Sequence, residues 1–192
     1  MTHTPSRAAL AFALLLLPVA AAAQGTGFKV LATNRTSTME KEMNDAGRSG
    51  YRFGAVMGGE TAVGGKEVVV VMKPVEAGTA ASGFQYRLLA TSKTSTMKRE
   101  LQDASDAGYV YVGQTVFESL FGGREVVCIL EREQGKRGDS GWEYELLATN
   151  RTSTMEKELR DAGGDGFELV GMTVAQTAIG GNELVVIMRR KR

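Results

Sequence analysis

The chain has 192 residues, 43% apolar and 23% charged, the balance of an ordinary globular protein and not of a disordered or fibrous one. Lysine and arginine total 23 against 22 acidic residues, and no basic stripe of the kind nucleic acid requires is visible. The only histidine, His3, lies in the leader and the only cysteine is Cys128, so a disulfide framework, Ser-His or Cys-His nucleophiles and histidine-based metal sites are all excluded from the remainder.

Residues 1–23 read as an export signal. Arg7 supplies a basic start, Ala8–Leu17 an apolar core, Pro18 breaks it, and Ala21-Ala22-Ala23 fits the small-residue rule before cleavage at Gln24. The alternative is a retained anchor, but the apolar run Ala8–Ala23 has 16 residues and contains Pro18, whereas a span needs about 20. No cysteine stands near the cleavage point, which argues against a lipid anchor. The expected location is periplasmic or extracellular, with no integral membrane segment after signal removal. Loss of Arg7 leaves 23 − 1 = 22 basic residues against 22 acidic ones, a formal charge of zero.

The rest is one module written three times. Leu31–Glu42 and Leu147–Glu158 are identical, and Leu89–Glu100 is a looser copy between them. The equivalent threonines Thr33, Thr91 and Thr149 are evenly spaced, since 91 − 33 = 58 and 149 − 91 = 58. The modules span 28–74, 84–133 and 142–192, the last ending in a basic tail. Small-residue linkers, 75–83 and 134–141, separate them.

Each module opens with alternation: Trp142, Tyr144, Leu146 and Ala148 share one side, as do Phe84, Tyr86, Leu88 and Ala90, and more weakly Phe28, Val30 and Ala32. The pattern predicts a strand with one buried, aromatic-rich face. A helix follows, with Met39, Met43 and Ala46, Met97, Leu101 and Ala104, and Met155, Leu159 and Ala162 at helical spacing. Ser37 with Glu40, and Ser153 with Glu156, have capping-box spacing, while Lys98 breaks the box in the middle copy. Gly50, Gly108 and Gly166 offer left-handed helix exits. A second strand begins at Tyr51, Tyr109 and Phe167 and heads toward Gly64-Gly65, Gly122-Gly123 and Gly180-Gly181, with glycines along it that predict a bulge. The third strand, Val68–Met72, Val126–Leu130 and Leu184–Met188, is an unbroken apolar run that argues burial on both faces.

The fold class expected is α+β: three tandem βαββ modules, each a three-stranded antiparallel sheet of order 1-3-2 with one helix on a face. A module under about 50 residues is marginal alone. The three are therefore expected to pack together, covering each other's open sheet faces or pairing edges with pseudo-threefold character. Phe167-Glu168-Leu169-Val170, the opening Trp142-Glu143-Tyr144-Glu145-Leu146, and Lys73-Pro74 after an apolar strand make each module resemble a family of short strand–helix–strand–strand domains, the domain of unknown function numbered four-one-seven-seven. The resemblance implies a fold and brings no activity or site residues.

The corner between first strand and helix is the main candidate site. Arg35, Ser37 and Thr38, with Lys93, Ser95 and Thr96, and Arg151, Ser153 and Thr154, place hydroxyls and a cation beside free helix N–H groups. Converging donors and the helix dipole favour an anion there, and three copies could hold a polyanion or acidic glycan with avidity. The bland alternative is that the hydroxyls cap the helix and Arg35 pairs with an acid such as Glu67. Glu42 and Asp45, with Glu100/Asp103 and Glu158/Asp161, share a helix side and would serve a carboxylate-dependent hydrolase only if a cleft brought such groups within about 5–10 Å; a solvated helix face explains them more simply. Arg189–Arg192 is either a solvated tail or a contact for anionic lipid or glycan. Cys128 inside an apolar strand reads as a small buried hydrophobe. Asn34-Arg35-Thr36 and Asn150-Arg151-Thr152 match the glycosylation pattern, which carries no weight behind a bacterial-type signal. The function expected is that of an exported, non-enzymatic three-repeat binding or structural protein, needing no cofactor, whose partner is a protein or other envelope component.

Overall fold

The computed structural model describes residues 27–62, 65–76, 83–91, 93–119, 123–136, 138–176 and 181–192. The leader, most of the first linker and parts of the three hairpin turns lie outside the described residues. Module 1 comprises β1 (Lys29–Thr33), α1 (Thr36–Arg48), β2 (Tyr51–Thr61) and β3 (Gly65–Pro74). Module 2 comprises β4 (Phe84–Thr91), α2 (Thr94–Asp106), β5 (Val110–Ser119) and β6 (Gly123–Glu133). Module 3 comprises β7 (Trp142–Thr149), α3 (Thr152–Gly164), β8 (Glu168–Gln176) and β9 (Asn182–Lys191). The sheets are ordered β1-β3-β2, β4-β6-β5 and β7-β9-β8, every pair antiparallel, as expected.

The most apolar strand takes the centre because only there can both faces and both edges be covered. In β6, Val126–Leu130 are all buried, and Val185–Met188 are buried in β9. The helices leave through Gly50, Gly108 and Gly166 at φ near +85°, a backbone state that side chains with a Cβ avoid. Each second strand carries a bulge at the same step, Phe53/Ala55, Tyr111/Gly113 and Leu169/Gly171. Val112 and Val170 occupy the extra position in two of the three, so glycine is not its cause.

The modules share their cores as a stack. Met39, Met43 and Ala46 of α1 pack together with Val68, Val70 and Met72 of their own sheet and with Phe84, Tyr86, Phe117, Val127 and Ile129 of the next one. The same relation recurs one step on, where α2 and β6 share a cluster with Tyr144, Ala175, Val185 and Ile187 of module 3. α1 and α2 therefore each lie between their own sheet and the back of the sheet that follows. At about 1.5–3 kcal/mol per buried large side chain, the side chains that the second sheet contributes add substantially to what module 1 buries by itself. The extensive element contacts join module 1 to 2 and module 2 to 3.

Stacking corrects one expectation. The face of β1 predicted to be buried is open: Phe28 is 76% and Val30 64% exposed, whereas Tyr86 and Tyr144, at the position of Phe28, are 2% and 1% exposed. Among the described residues no other module packs on this face. The basic tail is a second correction. Arg189–Lys191 continue β9 against β7, with Lys191 opposite Trp142. Arg189 pairs with Glu168, Arg190 with Glu143, and Arg192 with Asp106 and Asp139. The cations are drawn into the sheet by these acids and by the Trp142 and Phe167 rings.

Candidate functional site

The three strand-to-helix corners form as drawn, but their chemistry differs from the capping box. Arg35, Lys93 and Arg151 are the N-cap residues, in extended backbone, and none of the three helices has a side-chain cap. Ser37, Ser153 and their neighbours fall inside the first turn, two residues too late to cap it. Thr33 and Thr149 instead accept a hydrogen bond from the N–H of Arg35 and Arg151, and Thr91 accepts from Lys93. Helical hydrogen bonding starts at Met39, Met97 and Met155, so the N–H groups of the preceding turn are unbonded within the helix. Arg35, Lys93 and Arg151 are exposed, and among the described residues none has an ion-pair partner. Glu67 is taken by the Thr61 hydroxyl at 2.5 Å. Thr38, Thr96 and Thr154 are half-buried, Ser37 and Ser153 exposed, and the Ser95 side chain lies outside the described residues.

Of the carboxylate pairs, Asp45 is exposed and bonded to Arg48, and among the described residues no three acid, cysteine or histidine side chains form a metal-binding group. Cys128 is fully buried and donates toward the Met97 sulfur at 3.9 Å. Burial, helped by the Glu100 carboxylate, pushes its thiol up to about 12, so it is held as an unreactive thiol.

The seams between modules hold the polar geometry that the sequence does not reveal. Along the free edge of β4, Asn44 of α1 donates to the Tyr86 carbonyl and accepts from the Tyr86 N–H, both at 3.0 Å, while Glu40 accepts from the Leu88 N–H at 2.8 Å. One step on, Gln102 of α2 repeats this on β7, accepting from Tyr144 N–H and donating to the Trp142 carbonyl, and Lys98 pairs with Glu145. Side chains of one helix thereby satisfy an edge that would otherwise present bare backbone. Under the first seam Arg52 donates to Glu131 at 2.8 Å, the Tyr86 hydroxyl donates to the same carboxylate at 3.0 Å, and the Phe53 N–H donates to that hydroxyl at 2.8 Å. Glu131 is 5% exposed, so the charge is held inside the seam by its two donors. Burial first, and the Glu131 carboxylate second, raise the Tyr86 phenol well above its ordinary value. Tyr111 is raised by burial too.

No family model, curated protein or solved structure matches this chain.

What remains distinctive is where apolar surface is left open. The exposed large hydrophobics among the described residues are Phe28, Val30 and Met57 of module 1 and Leu169, Met172 and Val174 of module 3. Module 2 contributes none. By the strand registers, the first three lie on the back of the first sheet and the last three on the helix side of the third. No helix among the described residues is long and apolar enough to cross a membrane.

Proposed function

We propose that this chain is a non-catalytic binding or structural unit, working outside the cytoplasm, that engages a macromolecule through the two end faces of its stack. The observation that carries the reading is the confinement of large exposed apolar side chains to the outer modules. Scattered exposed apolar residues need no explanation, but sets gathered on opposite ends of one stack mark interaction surfaces. The signal-like leader supports the location. A photo-crosslinking amino acid placed at Val30 or Met172 in intact cells is expected to capture a macromolecule. The same probe at exposed Lys41 on α1 is expected to capture none. Failure at both end positions removes the reading.

A second reading is favoured by the uncapped, cation-flanked helix starts: binding of a small anion or acidic glycan at the corners. Titration calorimetry with sulfate and with uronic-acid oligomers is expected to give heat that weakens in Arg151→Ala, and the oligomer should bind tighter than sulfate if more than one corner engages it. No heat from either ligand overturns this reading and leaves the first untouched.

A further inference from the structure

Each seam inside the chain has a forward half and a rear half. The forward half is the helix side of one module: α1 with Phe53 and Gly58 of β2, or α2 with Tyr111 of β5. The rear half is the back of the next: β4 with Gly113, or β7 with Gly171. Among the described residues, the rear half of module 1 is therefore uncovered and the forward half of module 3 covers nothing. These two surfaces carry the six open hydrophobics named above.

We propose that the two halves join between copies: the helix side of module 3 seats on the back of module 1 of a second copy of this chain, head to tail. The inference rests on the end faces being binding surfaces, and it names their occupant. It continues an interface the chain already makes twice within itself, and the residues at the ends keep part of its pattern. Gly47 sits so close to β4 that a Cβ would lie 2.3 Å from the Phe84 carbonyl oxygen. The same position is Ser105 in α2, buried and donating to the Trp142 carbonyl at 2.7 Å, and Gly163 in α3, with nothing within 4 Å of its Cβ site; a small residue in all three helices leaves room there for a strand. Glu156 stands where Glu40 accepts from a strand N–H, and the counterpart of that N–H belongs to Val30.

The apolar pairs are matched in size. Phe53 lies over Gly113 and Tyr111 over Gly171 so closely that a Cβ would stand 2.8 Å from the Phe53 ring and 2.2 Å from the Tyr111 hydroxyl. At the ends the pair becomes Leu169 and Ala55, a smaller side chain facing one added methyl. Arg160, in place of Asn44 and Gln102, can donate to the Phe28 carbonyl but cannot accept from its N–H. Phe28 also lacks the hydroxyl with which Tyr86 and Tyr144 accept from the Phe53 and Tyr111 N–H groups, so the joint between copies makes at least two backbone hydrogen bonds fewer than the inner seams, which suits reversible assembly. Because the two surfaces are different, the contact is heterologous and adds copies in a row unless the rotation happens to close a ring.

The test is sedimentation velocity on the purified chain between about 1 µM and about 1 mM, with one variant closing each end. Gly163→Leu blocks the helix side of module 3, and Val30→Glu charges the back of module 1; Leu169→Glu stands in for the first if it fails to fold. The average mass of the natural chain is expected to rise past that of a dimer with concentration. Each variant alone is expected to stay monomeric with an unchanged circular dichroism spectrum. An equal mixture of the two is expected to form dimers and stop there, since each keeps one working end. A natural chain that is monomeric throughout, or that plateaus at a dimer, overturns the proposal, as does a mixture that never pairs. Monomeric copies whose Val30 probe captures a different macromolecule would sink head-to-tail assembly and keep the end faces as binding surfaces. Monomers with no capture at either end would remove both.

Discussion

Gly58→Ala is expected to destabilise the protein by about 3 kcal/mol, the upper part of the range for overpacking. A chain of this length should lose roughly 2–4 °C of melting temperature per kcal/mol, so the fall is roughly 6–12 °C. The reason is geometric. A Cβ on Gly58 would lie 2.1 Å from the Val116 carbonyl oxygen, and the Gly58 N–H already donates to the Thr115 hydroxyl at 2.6 Å. Neither group is the free end of a flexible side chain, so β2 and β5 must separate to admit the methyl. Gly59→Ala is the matched control. Its nearest neighbour is the Met57 methyl at 3.6 Å, and its effect should stay within about 0.5 kcal/mol. Equal melting temperatures for the two variants, by calorimetry, would show that the first seam is not the close-packed joint described.

Raising the pH above about 10 is expected to unfold the protein steeply. Tyr86, Tyr111 and Tyr144 are 2%, 6% and 1% exposed, and burial raises the phenol of each above its ordinary value, chiefly by denying water to the phenolate. Cys128 follows the same rule, pushed up to about 12. The sign is that of acids held neutral in the fold. Their contribution is complete below the unfolded pKa, about 8.5 for the thiol and about 10 for the phenols, and is lost as the pH rises toward the folded values. Each strongly shifted group costs about 1.4 kcal/mol per pH unit in that window, so Tyr86, Tyr111 and Cys128 together remove roughly 4 kcal/mol per unit. Native domains hold only about 5–15 kcal/mol in all, so little more than one or two units suffices. Denaturant melts between pH 8 and 11 check this, and Tyr111→Phe should flatten the slope by about a third. A flat stability profile through pH 11 would contradict the burial of these rings at the seams.

Much of the fold was legible because it rests on local pattern repeated at a constant interval. The helix-face methionines, the glycine exits and the apolar central strand recur every 58 residues and lie where periodicity places them. The corner was legible in outline only. Spacing identified Ser37 and Glu40 as a capping pair, but a helix can begin at any of several adjacent residues, and here it begins two residues earlier with Arg35 as N-cap. The seam residues escaped notice because their partners lie about 40 positions away, as with Asn44 on Tyr86 and Gln102 on Tyr144. A partial signal was present: this position holds an amide, Asn44 and Gln102, in the first two copies and Arg160 in the third.

By itself the chain determined its three modules, the strand order within each, and which strand is most deeply buried, since all of these follow from side-chain periodicity over short distances. Tertiary structure alone decided that identical-looking first strands meet different fates. Burial of an alternating face depends on what stands opposite it, and a stack of three has one back and one front with no neighbour, so Phe28 stays in water where Tyr86 and Tyr144 are enclosed.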